Sequence, residues 1–151
     1  MERVDRRLNT AWWALRLALG SGMFIAGADK YFNRLTEWTM YLSPLATRMI
    51  PVSPENFMRA AGVVEIAAAL LLLTRWTKAG SYFVAAYLCS IVGNLVSTGM
   101  FYDLATRDLE LAAAAFALAQ LTAMREELVR ISHQQEVSRT GSCCPERAKA
   151  E

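Results

Sequence analysis

A carboxylate at the centre of an oily, helix-length run constrains this chain more than any other feature. The run is Phe57-Met58-Arg59-Ala60-Ala61-Gly62-Val63-Val64-Glu65-Ile66-Ala67-Ala68-Ala69-Leu70-Leu71-Leu72-Leu73, with eight residues on either side of Glu65. At about 1.5 Å rise per residue, Glu65 falls ~12 Å from each end, near the midplane of a ~30 Å hydrocarbon layer. An ionisable group at that depth costs about 2.5–3.5 kcal/mol on insertion scales, so it needs a partner, a proton or a water-lined cavity. Two readings stay open from the residues alone. Glu65 is a functional group in a polar pocket, or it stays protonated and hydrogen-bonds a neighbouring helix as structural glue.

Three further apolar blocks accompany this one, giving spans at about 10–28, 56–73, 78–101 and 108–124. Each approaches the ~20 residues that cross a bilayer as helix. The fourth is weaker, being Ala-rich and opening with Asp108 and Glu110, but it stands beside three stronger ones. The expected fold is all-α: an antiparallel four-helix transmembrane bundle with short amphipathic interfacial helices between spans one and two. Residues 1–9 form a cytoplasmic N-terminus and 29–55 an external interfacial link. Residues 125–151 form a cytoplasmic helix extension, with disorder expected after about Glu136. A signal peptide is the competing account of the first block, since Met1–Arg7 is basic and Ala26-Gly27-Ala28 resembles a cleavage site. Arg16 interrupts that apolar run and favours a span.

Net charge is only +2, which offers no footprint for nucleic acid. The placement of the cations says more. Arg3, Arg6, Arg7, Arg75, Lys78, Arg125, Arg130, Arg139, Arg147 and Lys149 fall at the termini and second link, against Lys30, Arg34, Arg48, Arg59 and Arg107 in the other links. Ten against five places both termini in the cytoplasm of a bacterial-type inner membrane. Arg16 then snorkels toward the cytoplasmic end of span one, and Trp12, Trp13 and Trp76 join an aromatic belt there.

In the first link, Tyr31, Phe32, Leu35, Trp38, Leu42, Leu45 and Met49 recur at near-helical spacing until Pro51 and Pro54 close the segment. Phe32, Trp38 and Tyr41 make it a candidate docking surface. Small residues Ala14, Ala18, Gly22 and Ala26 give span one a stripe expected to pack. Span three carries Tyr82, Ser90, Asn94 and Thr98 on one stripe. Asn94 lies at a depth similar to Glu65, so a Glu65–Asn94 contact is expected, functional or a single structural hydrogen bond. Asp29, Lys30, Arg107 and Asp108 collect at the outer ends of their spans, which points to an outer-half pocket with Glu65 at its floor. Asp108 and Glu110 suit the start of a fourth helix, and Arg107 stands three residues from Glu110.

Several chemistries lack their residues. The single histidine, His133, stands alone in the predicted extension, so haem ligation within the chain is unsupported. No CxxC, GxGxxG, P-loop or Ser-His-Asp pattern occurs, so the chain is not expected to be catalytic alone. Cys143 and Cys144 are a weak candidate for a soft metal or a lipid, against the simpler reading of a reduced tail. No metal site is otherwise indicated.

Taken together, Gly62-Val63-Val64-Glu65-Ile66-Ala67-Ala68-Ala69-Leu70-Leu71-Leu72, Ala26-Gly27-Ala28-Asp29-Lys30-Tyr31-Phe32 and Arg107-Asp108-Leu109-Glu110-Leu111 resemble the second, first and fourth spans of the DoxX/DoxD-like family of small four-span integral membrane proteins. The resemblance runs roughly from Trp12 to Met124 and implies a four-helix membrane bundle. It also implies a place in quinone-linked sulfur oxidation, a terminal oxidase, or a membrane complex handling thiol and oxidative stress. Glu65, Asp29 and Asp108 match the positions a family site would use, and nothing transfers to Cys143 and Cys144. The resulting expectation is an accessory, at most co-catalytic, subunit of a quinone-linked redox complex that binds no cofactor by itself but offers a quinone a pocket. The alternatives are a purely structural or assembly subunit, and a small-solute carrier. Expected partners are the lipid bilayer and other subunits or further copies of the chain.

Overall fold

The computed structural model describes residues 2–49 and 51–141, and these are helical throughout apart from short links. Helix α1 spans Glu2–Phe32, α2 Pro44–Met49, α3 Pro54–Leu73, α4 Thr77–Ser97 and α5 Tyr102–Gly141, with a 3₁₀ turn at Trp38–Tyr41. No strand occurs among the described residues.

Local chemistry accounts for the boundaries. Asn33 ends α1 at φ 47°, a left-handed position that Asn tolerates, and its N–H returns to the Asp29 carbonyl at 2.7 Å. Ser53 stands extended at the N-cap of α3, Pro54 fills the first turn where no N–H partner is needed, and Glu55 suits the helix dipole. Between α4 and α5, Gly99 takes φ 71° with open space around it, which permits the reversal.

The helices pack as two close pairs, α1 on α3 and α4 on α5, joined by lighter α3–α4 and α1–α5 contacts. Within the first pair Gly20 meets Leu73 while Gly27 meets Gly62, so the two helices run in opposite directions. A Cβ at Gly27 would lie 2.8 Å from the Gly62 carbonyl oxygen, and one at Gly62 2.7 Å from the Gly27 oxygen. Only glycine lets the two backbones touch there. In the second pair, Lys78 reaches Glu126 and Tyr82 meets Gln120, again with opposite directions.

The core between the pairs is built from Trp12, Leu19 and Met23 of α1, Ala68, Ala69 and Leu72 of α3, Val84 and Leu88 of α4, and Ala112, Ala115 and Leu118 of α5. Around it the usual soluble order is reversed. Arg16, Asp29, Lys30, Glu65 and Asp108 are buried, while Leu17, Ile25, Val63, Leu70, Phe83 and Phe116 are exposed. Charged residues are almost never buried in water without cause, whereas an apolar exterior is the natural surface toward lipid. Two helices, α3 and α4, are long and apolar enough to cross a membrane.

Four expectations need correction. The stripe Ala14, Ala18, Gly22 does not pack: these residues are exposed, and nothing lies near Gly22. A strict four-residue step drifts around a 3.6-residue helix, and the contact face is instead Trp12, Arg16, Leu19, Gly20, Met23 and Gly27. The fourth helix begins at Tyr102, so Asp103 occupies its first turn while Asp108 lies deeper. Arg107 reaches Asp108 at 3.7 Å rather than pairing with Glu110. Helix α5 also runs past Glu136 to Gly141, where disorder was expected. Cys143 and Cys144 lie outside the described residues.

Candidate functional site

Apart from Arg16, the buried charges gather around the crossing of α1 and α3. Gly27 and Gly62 bring the backbones together, and one helical turn further along each chain stand Lys30 and Glu65. Lys30 Nζ donates to Glu65 Oε2 at 2.6 Å, with both side chains almost completely enclosed. The Tyr87 hydroxyl of α4 donates to the other carboxylate oxygen, Oε1, at 3.1 Å. Glu65 therefore ties three helices at one point. The 2.6 Å separation from Lys30 is that of a short, strong hydrogen bond.

The array continues toward the link. Lys30 Nζ sits 3.7 Å from the centroid of the Trp38 ring, and Trp38 Nε1 donates to Asp29 Oδ2 at 2.9 Å. A quadrupolar ring face stabilises the cation while the indole edge serves the carboxylate. Asp29 also accepts backbone N–H groups of Arg34 and Leu35 at 3.1 Å, which folds the link back over α1. Desolvation pulls the Asp29 carboxyl upward, but the Trp38 indole and the Leu35, Arg34 and Thr36 amides outweigh it and hold the group below its ordinary range. Asp108 of α5 is buried within electrostatic reach of Lys30 and bonded to the exposed Arg107. Beside Asp29 a shallow cleft of about 510 Å³ opens on the outer surface, lined by Phe24, Ile25, Ala28, Phe32, Arg34 and Leu35. Among the described residues no His, Cys, Asp or Glu cluster is arranged to hold a metal ion.

The DoxX family model matches residues 11–96, more than half of the 151-residue chain. The chain belongs to the DoxX family. The match covers most of α1, the link, α3 and nearly all of α4, which contain every residue of the array except Asp108 and Arg107. The family is one of membrane proteins, in accord with the apolar exterior of this DoxX chain, which places its surface against a lipid bilayer. No curated protein and no solved structure matches the chain significantly.

Within this DoxX chain the structure brings together Glu65, Lys30, Asp29 and Asp108, and leaves Arg107 at the rim. Asn94 stands apart. Its Oδ1 accepts the Ser43 backbone N–H at 3.1 Å and its Nδ2 donates to the Tyr41 carbonyl at 2.8 Å, so it pins the link to α4 instead of meeting Glu65. The expected Glu65–Asn94 contact is thus corrected, because the link offers Asn94 unpaired backbone groups at the same level. Of the three residues expected on a docking surface, only Phe32 points outward. Trp38 turns onto Lys30, and Tyr41 packs edge-on against Phe101 at 4.9 Å.

Sequence reasoning missed Tyr87, although it lies seven residues before Asn94 and so on the same face of α4. It also missed what Arg16 does. Midway along α1, Arg16 Nε donates to the Leu72 carbonyl at 2.7 Å and Nη2 to the Thr74 carbonyl at 2.6 Å, capping the C-terminus of α3.

Proposed function

We propose that this DoxX protein is a four-span accessory subunit of a membrane redox complex, and that the Lys30–Glu65–Tyr87 array handles protons for a quinone-linked reaction carried out by a partner. The observation that carries the reading is the Glu65 carboxylate itself, held between an ammonium and a phenol inside an apolar-surfaced bundle. Intramembrane ionisable groups are expensive and mark proton or ligand pathways more often than not. Lys30, Glu65 and Tyr87 are joined by hydrogen bonds that a proton can redistribute. The cleft beside Asp29 opens to the lipid side, where an apolar-tailed quinone would approach, and Arg34 and Asp29 supply its polar edge. Oxidation and reduction belong to the partner, since this chain holds no redox ligand set among its described residues. Both termini face the cytoplasm of an inner membrane in this reading, as the cation count favours.

A second reading is favoured by another observation. No buried side-chain nitrogen or oxygen lacks a partner among the described residues, so the array also works as a complete structural clasp. The double variant Lys30→Met, Glu65→Leu separates the two. A buried ion pair replaced by apolar groups of similar size often leaves stability near its original value. Proton handling predicts a complex that assembles normally and no longer turns over quinone. The clasp predicts normal assembly with normal turnover. Gentle detergent extraction with native mass measurement tests the subunit assignment itself: a lone 16.8 kDa chain would overturn it.

A further inference from the structure

The end of the bundle away from Glu65 holds two cations that no carboxylate balances among the residues with described side chains. The Arg16 guanidinium lies 4.6 Å from the centroid of the Trp12 ring, and the Arg125 guanidinium of α5 lies 4.1 Å from the same ring. Arg16 is 8% exposed and also stacks 5.0 Å from Trp13. The indole is fixed from its other edge, since Trp12 Nε1 donates to Thr122 Oγ1 at 2.8 Å, and Thr122 in turn bonds the Leu118 carbonyl. Two like charges are therefore held about one ring by a rigid side chain. The nearest acids do not serve them. Glu126 is engaged by Lys78 at 3.1 Å, and among residues with described side chains neither Arg16 nor Arg125 has a carboxylate within ion-pairing distance. Arg16 spends two N–H groups on the Leu72 and Thr74 carbonyls, while Arg125 makes no hydrogen bond among the described residues. A half-buried guanidinium with free donors, sharing one indole with a second guanidinium in a setting of lowered dielectric, calls for an anion with several acceptor oxygens.

We propose that Arg16 and Arg125, set about the Trp12 indole, form a binding site for the phosphate of an anionic phospholipid. The surroundings favour a lipid phosphate over a free one. Trp13, Leu17 and Met124 are exposed beside the pair, so acyl chains have an apolar surface to lie on while the headgroup reaches the guanidiniums. Trp12, Trp13 and Trp76 at this end mark the depth at which headgroups sit. Basic pockets between spanning helices at headgroup level are the physical setting for such recognition. The proposal is independent of the role of Glu65, whose partner on α1, Lys30, stands fourteen residues beyond Arg16.

The test uses the full-length chain in detergent, titrated with phosphatidylglycerol, with phosphatidylcholine, or with inorganic phosphate. Native mass spectrometry counts retained lipid and a melting curve reads stability. The expected result is one retained phosphatidylglycerol per chain and a raised melting temperature, with no response to phosphatidylcholine or inorganic phosphate. Arg125→Glu supplies an internal counter-ion and should melt at or above the wild-type temperature without lipid, yet bind phosphatidylglycerol about tenfold more weakly. Arg125→Gln guards against a folding defect of the charge reversal and should lose the same response. Arg130→Glu makes an identical charge change on an exposed face of the same helix and should leave binding unaltered. Equal binding of phosphatidylcholine, retention of the response in both Arg125 variants, or its loss in Arg130→Glu would each overturn the proposal. A response reproduced by inorganic phosphate would overturn the lipid assignment.

Discussion

Helix α1 carries two buried cations fourteen residues apart, and they are neutralised by opposite means. Lys30 meets a carboxylate, Glu65, plus the face of Trp38. Arg16 meets only neutral oxygens, the terminal carbonyls of α3, and indole rings. The difference follows from what each partner helix offers at that level. In the middle of α3 every backbone carbonyl is already used, so a charge there requires a side-chain acid. At the end of α3 the last carbonyls and the negative pole of the helix dipole hold the guanidinium in place without a side-chain acid. Buried cations are thus held by a side chain in the interior of a neighbouring helix and by backbone at its end.

The largest way to break this contrast is to remove one half of the ion pair. Glu65→Leu alone leaves Lys30 enclosed without its counter-charge and should destabilise the bundle by about 3–5 kcal/mol, read from denaturation in detergent. If the loss is no greater than that of the double variant described above, the pair is not coupled and the contrast fails. Next comes the contact that positions the pair. Gly62→Ala drives a Cβ to 2.7 Å from the Gly27 carbonyl and should cost about 1–3 kcal/mol as the helices part. Lys30 and Glu65 should separate with it, so this variant and Glu65→Leu should be less than additive when combined.

Arg16→Met tests the other cation. It removes two hydrogen bonds but strands no opposite charge, and the Leu72 and Thr74 carbonyls still have the Thr77 hydroxyl to accept from. The expected loss is about 2 kcal/mol, smaller than for Glu65→Leu. Equal losses would erase the distinction between backbone and side-chain neutralisation.

Much of this arrangement is legible in the sequence, and the parts that are not share a cause. Glu65, Asp29, Lys30 and Asp108 stand out because an ionisable group beside an oily run is conspicuous in a single line of text. Their partners are chosen by rotation of one helix against another, which a sequence states only weakly. Tyr87 is an ordinary aromatic in its own helix and becomes a ligand of Glu65 only when α4 is turned toward α3. Asn94 is polar enough to notice, yet its amide is taken by the backbone of a link more than fifty residues upstream of it, at Tyr41 and Ser43. The small-residue stripe Ala14, Ala18, Gly22 and Ala26 misled for the same reason, since Gly22 and Gly27 look alike in sequence and only Gly27 faces α3.

Two smaller effects sharpen the Lys30 end. Trp38→Phe keeps a ring over Lys30 while deleting the N–H donated to Asp29, and a loss of about 1 kcal/mol is expected from a melting curve. Asp29 sets the direction of acid sensitivity. Its pKa is held below the unfolded value, so its contribution is present above the ordinary carboxylate range and fades as pH falls through the depressed folded value. Melting temperatures of wild type and Asp29→Asn should therefore differ at neutral pH and converge in strong acid. A gap that stays constant down to that range would remove Asp29 from the account.

The bare crossing at Gly27 and Gly62 has a mechanical consequence. With no side chain cushioning the two rods, that point is a fulcrum on which α1 can rock but not slide. Lys30 sits a short arm from it and Arg16 a long one, on opposite sides. A tilt too small to break the short-arm grip between Lys30 and Glu65 is magnified several-fold where Arg16 holds the end of α3, so the two ends of the bundle are levered against each other.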